Sequence, residues 1–264
     1  MKARINGINI VYDVSGPERG PAVLLHHPLA TNHTFWDPLV KALADKYRII
    51  RLDARGHGQS DAPVGPYTFQ TLAADVTGLL DHLNIDRASF IGLSMGGMVG
   101  QHLGIVHQDR FHCLVLVSTS SRIPPEGGAL WDERIAAVRA GGMASQVEGS
   151  MARWVSPKAL ADHHPSVPLL RQMILSTPPE GYIGWAGAIR TLNVTDQLKA
   201  IKLPTRIIAG ELDPSTNVAA HEAINKALPG SDLIVMKGVS HMLSSEAPGE
   251  FAGHVRPFLD KHAR

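Results

Sequence analysis

The chain has 264 residues, 44% of them hydrophobic and 19% charged, with a formal net charge of +1. That length carries one large hydrophobic core, or one core with a small inserted cap, and the composition is ordinary for a globular protein. No run of Lys or Arg offers the basic patch that a nucleic-acid partner needs, and no apolar stretch reaches the roughly 18–20 residues of a membrane span.

Residues Met1–Gly16 hold neither an apolar run of signal-peptide length nor a small-residue cleavage site. Cys113 is the only cysteine, so no intrachain disulfide forms. Both observations lead us to expect a cytoplasmic protein. The first residues, Ala3–Asn9 and Ile10–Val14, read as an antiparallel hairpin at a sheet edge with a turn at Asn6-Gly7. Continuous apolar runs then recur at Ala22–His26, Arg48–Leu52, Ala88–Gly92, Cys113–Val117, Thr205–Ala209 and Asp232–Met236. Runs of this length, rich in Val, Ile and Leu, suit parallel strands buried on both faces, which makes Cys113 a buried strand residue. Helical patterns fall between them, at Trp36–Asp45 and at Thr68–Leu83, where Thr68 can supply a hydroxyl cap. Strand alternating with helix predicts an α/β fold with a mostly parallel central sheet flanked by helices.

The alternation stops between about Ser121 and Thr195. Helical patterns such as Trp131–Ala140 and Val167–Leu175 occur there, punctuated by Pro124-Pro125, Gly141-Gly142 and Pro178-Pro179. We expect residues 122–195 to form a helical cap inserted into a core made of residues 1–121 and 196–264, covering the sheet edge where open α/β folds bind ligands.

Gly92-Leu93-Ser94-Met95-Gly96 matches the Gly-x-Ser-x-Gly nucleophile elbow, with a strand before it and a helix-capable stretch after it. The tight turn demands small residues around Ser94 and leaves the Met95 N–H as one oxyanion donor. A serine hydroxyl needs a base, and in such folds an acid and then a histidine follow in chain order. Asp213, beyond the run Thr205–Ala209, is the expected acid, with Glu211 as its competitor. His241, beyond the last run, is the expected base. The second oxyanion donor should come from His26-His27-Pro28-Leu29-Ala30-Thr31. Pro28 has no N–H, so the choice falls on Leu29, with His27 as runner-up. His26 and His27 lack a spaced third partner, so no metal is expected. His57, in Asp53-Ala54-Arg55-Gly56-His57-Gly58, reads as structural, holding backbone or Asp53.

Asp-x-Arg-Gly-His-Gly-x-Ser-Asp from Asp53, Gly-Leu-Ser-Met-Gly-Gly from Gly92, and the late Asp213 and His241 resemble the α/β-hydrolase superfamily. Gly92–Gln101, Leu130–Met143 and Thr177–Tyr182 resemble 3-oxoadipate enol-lactonases more closely, and the likeness spans nearly the whole chain. The resemblance implies a cofactor-free hydrolase that opens a small carboxylated lactone through Ser94, His241 and Asp213. Such a substrate calls for a cation in the pocket. Arg134, beside Trp131, is the candidate, ahead of Arg153 and Arg190. The chain departs from the enol-lactonase pattern at His27-Pro28-Leu29-Ala30-Thr31 and at Trp185, an indole expected to reshape the pocket. A carboxylesterase, another lactonase or a carbon–carbon bond hydrolase shares the same machinery. A non-catalytic small-molecule sensor would have no use for it.

Overall fold

The structure, a computed structural model, describes residues 1–264. Its N-terminal hairpin pairs β1 (Lys2–Ile5) with β2 (Ile8–Ser15). The turn residues Asn6 and Gly7 both have positive φ, 46° and 82°, the left-handed pair that suits a tight hairpin and that Asn-Gly adopts readily. The expected apolar runs are all strands: β3 (Ala22–His26), β4 (Arg48–Leu52), β5 (Ala88–Leu93), β6 (Phe111–Val117), β7 (Thr205–Gly210) and β8 (Asp232–Met236). They form one eight-stranded sheet in the order β1-β2-β4-β3-β5-β6-β7-β8, antiparallel at the hairpin edge and parallel from β4 onward. Every residue of β3 and β5 is buried, which is why these strands show no polar alternation. Cys113 is buried in β6 and directs its thiol at Ser89.

Helices α1 (Asp37–Leu43), α2 (Phe69–His82) and α3 (Met95–Val106) connect the first strands. Thr68 caps α2 by accepting the Thr71 N–H at 3.2 Å. Between β6 and β7 the chain adds no strand to the sheet. It runs through α4 (Pro125–Gly141), α5 (Val147–Trp154), α6 (Pro157–Ala161), α7 (Ser166–Ser176) and α8 (Pro179–Ile189). The two ends of this insertion are tied together. Val194 N–H donates to Ser121 O at 2.8 Å and Ile123 N–H to Leu192 O at 2.9 Å. The chain then closes with α9 (Val218–Ala227), α10 (Leu243–Glu246) and α11 (Pro248–His262). No helix is long and apolar enough to cross a membrane.

The sheet order fixes where chemistry can gather. β4 lies on one side of β3 and β5 on the other. The loops leaving β3 and β5 at their carboxyl ends therefore diverge around a topological switch point, where open α/β sheets take ligands. His26 and Gly92 are register partners, so these two loops leave the sheet side by side.

The insertion meets the core backbone to backbone. A Cβ on Gly181 of α8 would stand 1.8 Å from Gly56 O, and one on Gly184 would stand 2.7 Å from the Tyr67 ring. Neither glycine can take a side chain unless α8 lifts. Gly181→Ala should therefore cost about 1–3 kcal/mol of unfolding free energy, the usual range for overpacking a tight contact. An unchanged urea midpoint would mean that α8 does not bear on the core.

Candidate active site

Ser94 sits between β5 and α3 with φ 55° and ψ −111°, a strained conformation for a residue with a side chain. The surroundings hold it there. Ser94 N–H donates to Val117 O at 2.8 Å, and Ser94 O accepts from Met98 N–H at 3.0 Å and from the Thr119 hydroxyl at 2.9 Å. The turn is too tight for side chains at its flanks. A Cβ on Gly92 would meet Gly96 O at 2.2 Å, and one on Gly96 would meet His26 O at the same distance. Met95 opens α3, so its N–H has no intrahelical acceptor.

The loops after β7 and β8 deliver the other groups. His241 Nε2 is 2.9 Å from Ser94 Oγ, and His241 Nδ1 is 2.7 Å from Asp213 Oδ2. Asp213 also accepts the Thr216 hydroxyl at 2.7 Å and the N–H groups of Ser215 and Thr216 at 2.7 and 3.1 Å. Burial alone would push its carboxyl up. The His241 charge and the hydrogen bonds from His241 and Thr216 outweigh that and hold it below the ordinary carboxylate range. An ionised Asp213 keeps the imidazole proton on Nδ1 and leaves Nε2 free to accept the serine proton. Glu211 is exposed, accepting Lys237 Nζ at 2.8 Å and Gly238 N–H at 3.0 Å. Those contacts engage it away from His241.

Leu29 lines the cavity beside Ser94 and His241, whereas the fully buried His27 does not. Below Leu29 lies a layer of buried imidazoles. His57 Nε2 accepts the Ala30 N–H at 3.0 Å, and His27 Nε2 accepts the Ala54 N–H at 2.9 Å. His27 donates through Nδ1 to Pro28 O at 2.8 Å, and the Thr31 hydroxyl donates to the same carbonyl at 2.8 Å. Ala30 is held at φ 56° by this scaffold. His57 thus holds backbone, whereas Asp53 is engaged by His33 and by the Gln59 N–H. Burial drives the imidazoles far toward neutrality, His26 to about 3 and His57 to about 4, with His27 shifted the same way.

Trp185 requires a correction. Its indole is fully buried and is absent from the cavity wall. It packs edge-on against His26 and His57 and donates Nε1–H to Arg55 O at 2.7 Å. The large side chain fills the seam between α8 and the histidine layer, so it does not narrow the pocket.

The cavity over Ser94 measures about 310 Å³. Its apolar wall includes Met98, Ile123, Leu130, Trp131, Trp154, Tyr182 and Ile189. Arg134 and Arg153 also line it, and no Asp or Glu does. Arg134 lies over the Trp131 ring, 4.5 Å from its centroid. Arg190 points elsewhere and pairs with Asp132. No group of His, Cys, Asp and Glu side chains is arranged to hold a metal ion.

Residues 21–248 match the family model described as alpha/beta hydrolase fold. The chain belongs to the α/β hydrolase fold family. It is 35% identical to 3-oxoadipate enol-lactonase 1 of Acinetobacter baylyi over 93% of its own length and 91% of the relative's. The enol-lactonase of Burkholderia xenovorans superposes with a TM-score of 0.94 at 33% identity, covering 98% of this chain and all of that one. A malate-bound thermophilic esterase of Thermogutta terrifontis also gives 0.94, at 29% identity, covering 99% and 98% of the two chains. The hydrolases among these relatives act on esters or lactones, and this α/β hydrolase is of that ester- and lactone-cleaving kind.

Sequence reasoning ranked Arg153 behind Arg134, yet both reach the cavity of this hydrolase. The signal was available. Val147, Ser150, Met151 and Trp154 are the buried residues of α5, at helical spacing, and Arg153 stands three residues after Ser150 on the cavity side. The end of α5 is also fastened to the His241 loop. Met242 N–H donates to Trp154 O at 2.9 Å and the Ser240 hydroxyl to Arg153 O at 3.2 Å. Glu246 accepts both Ser156 N–H and Ser240 N–H at 3.1 Å.

The histidine layer predicts an acid-sensitive fold. Buried neutral imidazoles bind fewer protons than the unfolded chain below its ordinary histidine pKa of about 6.5, so stability falls as pH falls from there toward 3–4. His57→Gln, which removes one such group, should flatten the dependence of Tm on pH between 6.5 and 4.5. An equally steep profile in that variant would remove His57 from this account.

Proposed function

We propose that this protein hydrolyses a small lactone bearing a carboxylate, with 3-oxoadipate enol-lactone as the substrate and 3-oxoadipate as the product. The observation that carries the reading is the chain of contacts from Asp213 through His241 to Ser94 at the wall of a cavity that holds arginines and no acid. The names of the relatives, two of them enol-lactonases at 33–35% identity over nearly the whole chain, support the choice of lactone.

In this reading His241 takes the Ser94 proton as the serine oxygen attacks the lactone carbonyl. The N–H groups of Met95 and Leu29 stabilise the oxyanion; losing one such donor costs on the order of 100- to 1,000-fold in rate. His241 then protonates the departing enol oxygen, and the enol collapses to a ketone, which makes ring opening effectively irreversible. Water, activated by His241, releases the acid from Ser94. Asp213 holds the imidazole tautomer throughout. Residues 122–195 serve as the cap that covers the reacting centre, and Arg134, placed over the Trp131 ring, binds the substrate carboxylate.

The test is loss of enol-lactone absorbance. Ser94→Ala should abolish turnover, and Asp213→Asn should lower kcat on the order of 10⁴-fold by reversing the tautomer. Absence of lactone opening, with p-nitrophenyl acetate still cleaved through Ser94, would discard the lactone and leave a carboxylesterase.

A further inference from the structure

Arg134 projects from α4 and Arg153 from the last turn of α5, and both side chains line the one chamber above Ser94. Two other arginines of the insertion are paired, Arg171 with Glu148 and Arg190 with Asp132, and Arg122 and Arg139 stand outside the wall of this chamber. Arg134 and Arg153 have no carboxylate partner. The two cations also feel each other. Burial pushes the Arg153 guanidinium down to about 10, and the charge of Arg134 pushes the same way. Tyr182 lies within reach of both charges and is itself fixed by donating its hydroxyl to Gln146 Oε1 at 3.1 Å. Two like charges lining one half-buried chamber, with no carboxylate in its wall, raise the energy of the empty chamber. An anion that satisfies both relieves that cost.

A monocarboxylate needs only one of them. Hydrolysis of a carboxylated lactone changes the charge in the chamber. The oxygen of water bonds to the acyl carbon, the bond to the ring oxygen breaks, and a proton is released at neutral pH. A ligand that enters with one carboxylate leaves with two. We infer that Arg134 and Arg153 together form a dicarboxylate site, so that the chamber holds linear aliphatic dicarboxylates more tightly than monocarboxylates of the same length. The hydrolysis product is then an inhibitor of its own formation. Arg153 is the specificity-determining partner that a single-cation pocket would lack. This inference rests on the chamber being the substrate site proposed above, but not on which lactone it opens.

The experiment is competition by adipate and by hexanoate against cleavage of p-nitrophenyl acetate, a neutral ester. Each inhibition is read against the same variant's uninhibited rate. Calorimetry of the same two acids with Ser94→Ala protein gives the comparison without turnover. We expect adipate to bind at least tenfold more tightly than hexanoate. Arg153→Gln should bring the ratio close to one, Arg153→Lys should restore part of it, and added salt should shrink it. Equal affinity for the two acids in the unaltered protein, or an undiminished ratio in Arg153→Gln, would overturn the dicarboxylate site. Adipate preference without enol-lactone turnover would keep the site and discard the lactone. Turnover without adipate preference would do the reverse.

Discussion

Gly96 lies with its Cα against the carbonyl of His26, so close that a methyl group would sit 2.2 Å from the oxygen. That backbone contact brings the turn carrying Ser94 and the loop carrying Leu29 to one point. It is possible because β3 and β5 are neighbours with His26 and Gly92 in register, although β4 and α2 intervene in the chain. Loosening it would part the serine oxygen from the N–H groups proposed to meet the oxyanion. The strained φ of Ser94 persists for the same reason. The hydrogen bonds at its own N–H and carbonyl leave the residue no relaxed alternative.

The insertion is joined to this centre at two places. On one side, α8 presses Gly181 and Gly184 onto the loop of Gly56 and the Tyr67 ring, and sends the Trp185 indole down to Arg55 O. That carbonyl also accepts the His57 Nδ1–H at 3.3 Å, and His57 supports Ala30 next to Leu29. The contact is mechanical: a helix of the insertion helps to shape the loop of Leu29 through buried imidazoles. On the other side, α5 ends against the loop of His241. Both Arg153 and the proposed base are therefore fixed relative to one another through a few short links.

Most of the fold was legible because parallel strands buried on both faces leave long apolar runs, and nothing else in the chain imitates them. Ser94, Asp213 and His241 were legible because each follows such a run. What could not be read was the start of α4 and the whole of α8. Pro124-Pro125 and Pro178-Pro179 look like interruptions, yet Pro125 and Pro179 each occupy a first helical position, where a missing N–H costs nothing. The glycines of α8 weaken its helical signature, and Gly181 and Gly184 are the ones that permit its close approach to the core. Trp185 misled for a related reason. A large side chain in a cap suggests a pocket wall, but its position on α8 turns it toward the seam. Helical spacing on α5 could have turned Arg153 to the cavity side, but its meeting with Arg134 depends on how α4 and α5 are placed over the same chamber.

Glu246 has a single carboxylate that holds Ser156 of the insertion with one oxygen and Ser240 of the core with the other. The insertion cannot swing away there without tugging on the residue beside His241. Lifting the insertion as a hinged lid would have to break one of these two hydrogen bonds. The stretch running through α6 and α7 lies beyond that anchor and contributes nothing to the cavity wall. It is the part of the insertion on whose length the cavity wall does not depend.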